Sequence, residues 1–277
     1  MFNKQKNKII ILGKNGFIAS EIIKKIKLHK FKYLAFSKNQ IDLLKKKNLP
    51  ILDSIIKKED ILIFCSALVP VKNFEMYYKN IKMCENFLSI KNLNKLYSIC
   101  YLSSDAVFSD TKKLIEENSD KNPDNLHGLM HYTREKLLKL SHKKVFCIRP
   151  TLVFGKNDPH NSYGPNSFLR SAQKNKKIKI FGNGEELRDH IYVEDIANTF
   201  IALLKYKTFE DINIVTGKVI SFMKIARQIS QKYKHIKIIK MKRKGPVPHN
   251  GYRAFNNKKL KKLNINPLTF KEYCKQL

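Results

Sequence analysis

The chain has 277 residues, with 55 Lys plus Arg against 23 Asp plus Glu, a formal net charge of +32. Its 43% hydrophobic content can fill a core, which excludes disorder as the main description. No apolar run nears the roughly 20 residues of a membrane span, and Ile9–Leu12 is too short for a signal-peptide core, so a soluble cytoplasmic protein is expected.

The five Cys (65, 84, 100, 147, 274) are scattered and form no CxxC pair, which argues against a disulfide framework or a zinc site. No metal site is expected. Strong positive charge suggests phosphate-backbone binding. Only seven of the 55 cations are Arg, however: 134, 149, 170, 188, 227, 243 and 253. The rest are Lys among many Asn and Ile, the signature of an AT-rich genome. Base readout favours Arg, so nucleic acid is not the expected partner.

In chain order, Lys8–Leu12 reads as a buried strand, Ile18–Ile26 as a helix, and Lys32–Phe36 and Asp60–Cys65 as strands. Met76–Ile90 has helical periodicity, Ile99–Leu102 is a strand, His127–Leu140 a helix and Lys144–Ile148 a strand. This alternation predicts an α/β fold, a doubly wound parallel sheet. Gly155–Asn166 is loop-rich, Ser221–Tyr233 reads as a helix capped by Ser221, and Asn213–Gly217 and Ile236–Ile239 read as strands. The expected division is a dinucleotide-binding part, 1–155, and a smaller substrate-binding part, 156–277, partly woven back into the sheet.

Directly after the first strand comes Gly13-Lys-Asn-Gly16-Phe17-Ile18-Ala19. Glycines there let backbone N–H groups approach a pyrophosphate, and the helix N-terminus adds its positive dipole. The second strand ends Ser37-Lys38, with no carboxylate for a ribose hydroxyl. That pair suits a 2′-phosphate and favours NADP over NAD, although Lys38 also reads as a solvated surface residue.

These features, with Ile61–Ala67, Asn80, Tyr101–Phe108, Arg149–Gly155, Phe181–Gly184 and Arg188–Asp195, resemble the extended short-chain dehydrogenases/reductases. That is the NAD-dependent epimerase/dehydratase family of nucleotide-sugar enzymes. The resemblance covers nearly the whole chain. It implies cofactor contacts at Gly13, Gly16, Phe17, Ile18, Ser37, Lys38, Ser66, Ala67, Asn80 and Pro150. It places the substrate-orienting hydroxyl on Ser104, followed by Asp105 as in the family's dTDP-4-dehydrorhamnose reductases and 4,6-dehydratases. Ala106 stands where dehydratases carry Glu and where GDP-fucose-forming members carry Cys, which counts against both.

The family's proton relay is a Tyr with a Lys four residues later. Tyr132 and Lys136 fit that spacing literally. The surrounding pattern, Pro-x-x-x-Tyr-Gly-x-x-Lys-x-x-x-Glu, fits instead through Pro123, Gly128 and Glu135, which puts His127 at Tyr and His131 at Lys. A five-residue shift turns a helix by about 500°, so the two pairs point ~140° apart. From His131 to Arg149 are 18 positions, room for helix and strand, against a tight 13 from Lys136. The histidine register is favoured and the other stays open. On the substrate side, the resemblance implies contacts from Asn166 and from Arg188 and Arg253, whose planar forks suit a diphosphate.

The expectation is an NAD(P)-dependent 4-epimerase or 4-keto reductase acting on a nucleotide-activated sugar, in surface-polysaccharide sugar synthesis. The resemblance also allows a homodimer. Two other readings remain: a cofactor-binding member that has lost turnover and senses or scaffolds, and an RNA-binding relative.

Overall fold

The structure is a computed structural model describing residues 3–159, 161, 163–233, 235–243 and 245–276. His160 and Ser162 of the predicted loop lie outside the described residues. Two compact units emerge. The first holds the chain through Ser109, Ser119–Arg149 and Ala197–Ile212; the second holds Asp110–Asn118, Pro150–Ile196 and the chain from Asn213. The composition change near 155 lies beside the crossing at 149/150. The crossings at 109/110, 118/119, 196/197 and 212/213 carry no such mark in the sequence.

The first unit runs β1 (Ile9–Leu12), α1 (Phe17–Leu28), β2 (Tyr33–Phe36), α2 (Leu49–Ile55), β3 (Ile61–Phe64), α3 (Phe74–Leu88), β4 (Ser98–Leu102), α4 (Leu126–Ser141) and β5 (Val145–Pro150). The strands are parallel in the order β2-β1-β3-β4-β5. All four residues of β1 and of β3 are buried, as expected of strands covered on both faces. Ile10, Leu12, Leu62, Phe64, Cys84, Phe87 and Tyr101 form one core. Each such large side chain contributes roughly 1.5–3 kcal/mol on burial. Asn73 caps α3 by accepting from Met76 N, and Asn125 caps α4 by accepting from Gly128 N at 2.9 Å.

Strand β3 is shorter than Asp60–Cys65. Asp60 precedes it, its carboxylate accepting from Lys8 N at 3.0 Å and Lys57 N at 2.9 Å and its carbonyl from Tyr97 N at 2.7 Å. Because β1 has β2 on one side and β3 on the other, the connections after it lead in opposite directions. The carboxyl ends of the strands at this switch point are where such sheets bind ligands.

The second unit contains β6 (Leu152–Phe154), α5 (Pro165–Asn175), β7 (Lys177–Phe181) and β8 (Leu187–Tyr192). α6 (Val193–Tyr206) and β9 (Ile212–Ile214) pass between the units' chain segments. Then follow β10 (Val219–Ser221), α7 (Phe222–Lys232), β11 (Lys237–Met241), β12 (Tyr252–Arg253), α8 (Lys258–Lys262) and α9 (Phe270–Gln276). Strand β8 pairs with β6, β10 and β12, and β7 with β11. Phe154, Phe168, Ile178, Ile180, Phe222, Ile225, Ile229 and Phe270 fill this unit's core. The predicted loop ends earlier than expected, since Pro165 opens α5 and Asn166 lies in its first turn. No helix among the described residues is long and apolar enough to cross a membrane.

Candidate functional site

After β1 the backbone turns at Gly13, with φ +93°. A Cβ there would lie 3.0 Å from Ser66 N and 3.1 Å from the Cys65 carbonyl carbon. Conformation and space both require glycine. Gly16 is the N-cap of α1 and has no side chain to cap that end. The first-turn N–H groups and the helix dipole are therefore available to an anion. These residues fit a dinucleotide's pyrophosphate, with Phe17 and Ile18 opening the helix.

The neighbouring strand ends complete this side. Ser37 is buried and its hydroxyl donates to Gln40 Oε1 at 3.2 Å, while Lys38 is exposed. The loop of Ser66 and Ala67 after β3 is held by Asn80. Its Oδ1 accepts from Leu68 N, and its Nδ2 donates to Leu68 O and Met76 O, all at 2.9 Å. Asn80 thus acts by shaping the loop, since its amide is used up on backbone. Pro150 is buried at the end of β5.

Ser104 and Asp105 follow β4. The Ser104 hydroxyl accepts from Ala106 N at 3.1 Å and donates to Asp105 Oδ1 at 3.3 Å. The α4 face beside them carries Gly128, where a Cβ would sit 2.1 Å from Ala106 O. This close approach seats the helix start against the Ser104–Asp105 turn. His127 and His131 are on that face, their rings 4.8 Å apart and nearly perpendicular. His131 is buried, and its Nδ1 lies 2.7 Å from the Tyr101 hydroxyl. Burial lowers the His127 pKa, with Asp105 pulling it back up. Burial lowers His131 well below the ordinary value, helped by His127 and Arg134.

Tyr132 and Lys136 lie on a different face. Lys136 is exposed, with its Nζ over the Tyr132 ring at 5.5 Å. The structure thus brings His127 and His131 together with Tyr101, Ser104 and Asp105, and does not bring Tyr132 and Lys136 there.

Three buried groups escaped the sequence reading. Arg134 stacks on Phe64 at 4.2 Å and donates to Ser66 O at 3.0 Å. Tyr101 is the partner of His131. Arg149 donates to both Glu135 oxygens at 2.7 Å and to Asp211 at 2.6 Å, while the Ser103 hydroxyl donates to Glu135 at 2.6 Å. Glu135, Cys147 and Asp211 also converge within 4.8 Å, a metal-like spacing. Arg149 and Lys139 pair the two carboxylates there. The scarcity of Arg was the available signal for Arg134 and Arg149.

In the second unit, Asn166 accepts from Gly155 N at 3.0 Å and donates to Asp158 at 2.8 Å, pinning the loop ahead of α5. Arg188 is buried, donating to Glu186 at 3.1 Å and to Pro248 O. Arg243 also pairs with Glu186, and Arg253 donates to Asp110 at 2.9 Å, with His249 on the same carboxylate. Arg188 and Arg243 thus meet on Glu186, and Arg253 and His249 on Asp110. Arg243 is absent from the sequence-derived set.

A parallel sheet with a glycine turn at its switch point defines a dinucleotide-binding α/β protein. The family described as NAD dependent epimerase/dehydratase matches residues 9–215. The chain belongs to that family. A dTDP-D-glucose 4,6-dehydratase of Dictyostelium discoideum is 29% identical over 80% of this chain and 61% of its own length, so the chain spans under two thirds of that relative. Two solved structures share the fold at 19% identity and TM-score 0.81. They are a dTDP-4-dehydrorhamnose reductase from Bacillus anthracis in complex with NADP, covering 98% of each chain, and a UDP-glucose 4-epimerase from Thermotoga maritima with UDP-glucose, covering 97% of each.

Proposed function

We propose that the protein is an NAD(P)-dependent 4-epimerase or 4-keto reductase acting on a nucleotide-activated sugar, in surface-polysaccharide sugar synthesis. The observation that carries this reading is the family match across residues 9–215, a range that includes both the glycine turn and the histidine pair. The bound nicotinamide would supply hydride exchange with the sugar carbon. The N–H groups at Gly16–Ile18 would hold the pyrophosphate, with Gly13, Ser66, Ala67 and Pro150 shaping the cradle. Ser37 and Lys38 would receive a 2′-phosphate, which favours NADP. The Ser104 hydroxyl would orient the reacting sugar oxygen, and His127, beside Asp105, would give or take its proton. His131 would donate to the nicotinamide ribose. Arg188 and Arg253 would pair the diphosphate oxygens, and Asn166 would order the loop ahead of α5 on the substrate side.

Purified protein is tested with NADPH or NADH and a 4-keto dTDP-sugar, and separately with UDP-glucose. Cofactor oxidation in the first assay supports reduction, and formation of the C4 epimer in the second supports epimerisation. A second reading, a member without turnover, is favoured by one observation: both relay positions are His rather than Tyr and Lys. Tight cofactor binding with no reaction on either substrate would select it.

A further inference from the structure

Tyr101 places its hydroxyl among buried groups, and among the described residues it has one strong partner. That partner is His131 Nδ1 at 2.7 Å. The other acceptor recorded for it is the Met130 sulfur at 4.0 Å, a weak one. Burial pushes the Tyr101 pKa above its ordinary value, Arg134 working the other way, so the proton stays on oxygen. If Nδ1 carried a proton, the buried phenol would have, among the described residues, only the sulfur to donate to, and an unmatched buried O–H is strongly disfavoured. The phenol therefore donates and Nδ1 accepts. Neutral imidazole holds one proton, which then sits on Nε2. Arg134, fixed by Phe64 and by Ser66 O, sits close enough to favour that neutral ring.

We propose that Tyr101 is a positioning residue that locks His131 in its Nε2–H tautomer, so that His131 presents one uncharged donor of fixed direction to the cofactor ribose. The ribose contact rests on the reading of His131 given above; the tautomer does not. The device also explains why histidine occurs at both positions. A phenolic acid/base needs a neighbouring cation to bring its pKa toward neutrality. An imidazole titrates near neutrality unaided, and a close cation would only depress it. A neutral donor at 131 therefore suits His127 and would not suit tyrosine.

The test uses protein labelled with 15N-histidine, without cofactor, at neutral pH, with His131→Gln identifying the His131 resonances. Long-range 1H–15N correlation should show a pyridine-type Nδ1 and a pyrrole-type Nε2. Tyr101→Phe should shift the pattern toward mixed tautomers and weaken NADPH and NADH binding by about three- to tenfold, under 1.4 kcal/mol. A pyrrole-type Nδ1 in the wild type, or an unchanged pattern in Tyr101→Phe, overturns the tautomer lock. The expected spectra with unchanged affinity for both cofactors overturn the ribose contact and leave the lock standing.

Discussion

His127 and Tyr132 are five positions apart on α4 and lie on different faces, so substitutions can separate them. His127→Ala should lower kcat by about 10²–10³, the usual contribution of a positioned acid/base, while Tyr132→Phe should stay within about threefold of wild type. Comparable losses in both variants would sink the assignment. The pH profile provides an independent check. Burial sets the His127 pKa below 6.5. Ketone reduction uses the imidazolium as acid, so its rate should fall as pH rises through that lowered value. Alcohol oxidation uses neutral imidazole as base, so its rate should rise across the same interval. Profiles that move together in both directions would exclude His127 as the group. The grouping of His127 with His131 was half legible, since Pro123, Gly128 and Glu135 favoured that register. The burial of His131 was not, because its partner Tyr101 lies 30 residues away on another element.

At the level of elements, α4 is held to the sheet by the Glu135–Arg149 pair, whose charged ends are almost fully buried. Arg149→Met would leave Glu135 and part of Asp211 uncompensated inside the protein. Removing one partner of such a pair typically destabilises by about 3–5 kcal/mol. Urea unfolding should show that loss, and a change under about 1 kcal/mol would mean water reaches the site. The helix itself was legible from its periodicity, and the strands of the first sheet from short unbroken apolar runs such as Ile9–Leu12. β8 was hidden because its buried residues include Arg188, Asp189 and His190, a polar stretch that breaks the apolar run by which the other strands were read. The start of α5 was hidden for a different reason. Gly164 and Pro165 read as loop punctuation, yet Pro is well suited to a first helical turn.

Across the whole molecule, the charge of +32 means that acid adds protons to an already cationic chain. Buried neutral histidines sharpen that sensitivity. His190 packs edge-on to Phe222 at 5.6 Å, and neither of its nitrogens has a hydrogen-bond partner among the described residues. Burial lowers its pKa to about 3, with Arg188 adding to the effect. The unfolded chain, titrating near 6.5, therefore binds a proton that the folded chain refuses. The stability that follows is fully present above pH 6.5 and is lost as pH falls toward 3. Between pH 6.5 and 5 the loss amounts to about 2 kcal/mol. Asp189, raised to about 6 chiefly by burial, works in the opposite direction but is common to wild type and variant. His190→Leu should thus flatten the difference in unfolding free energy between pH 7 and pH 5 by about 2 kcal/mol. It should leave stability at pH 7 equal or higher, since no hydrogen bond is lost. Urea titrations at the two pH values decide it. An unaltered pH dependence in His190→Leu would mean that the imidazole finds a proton acceptor or water in the folded protein.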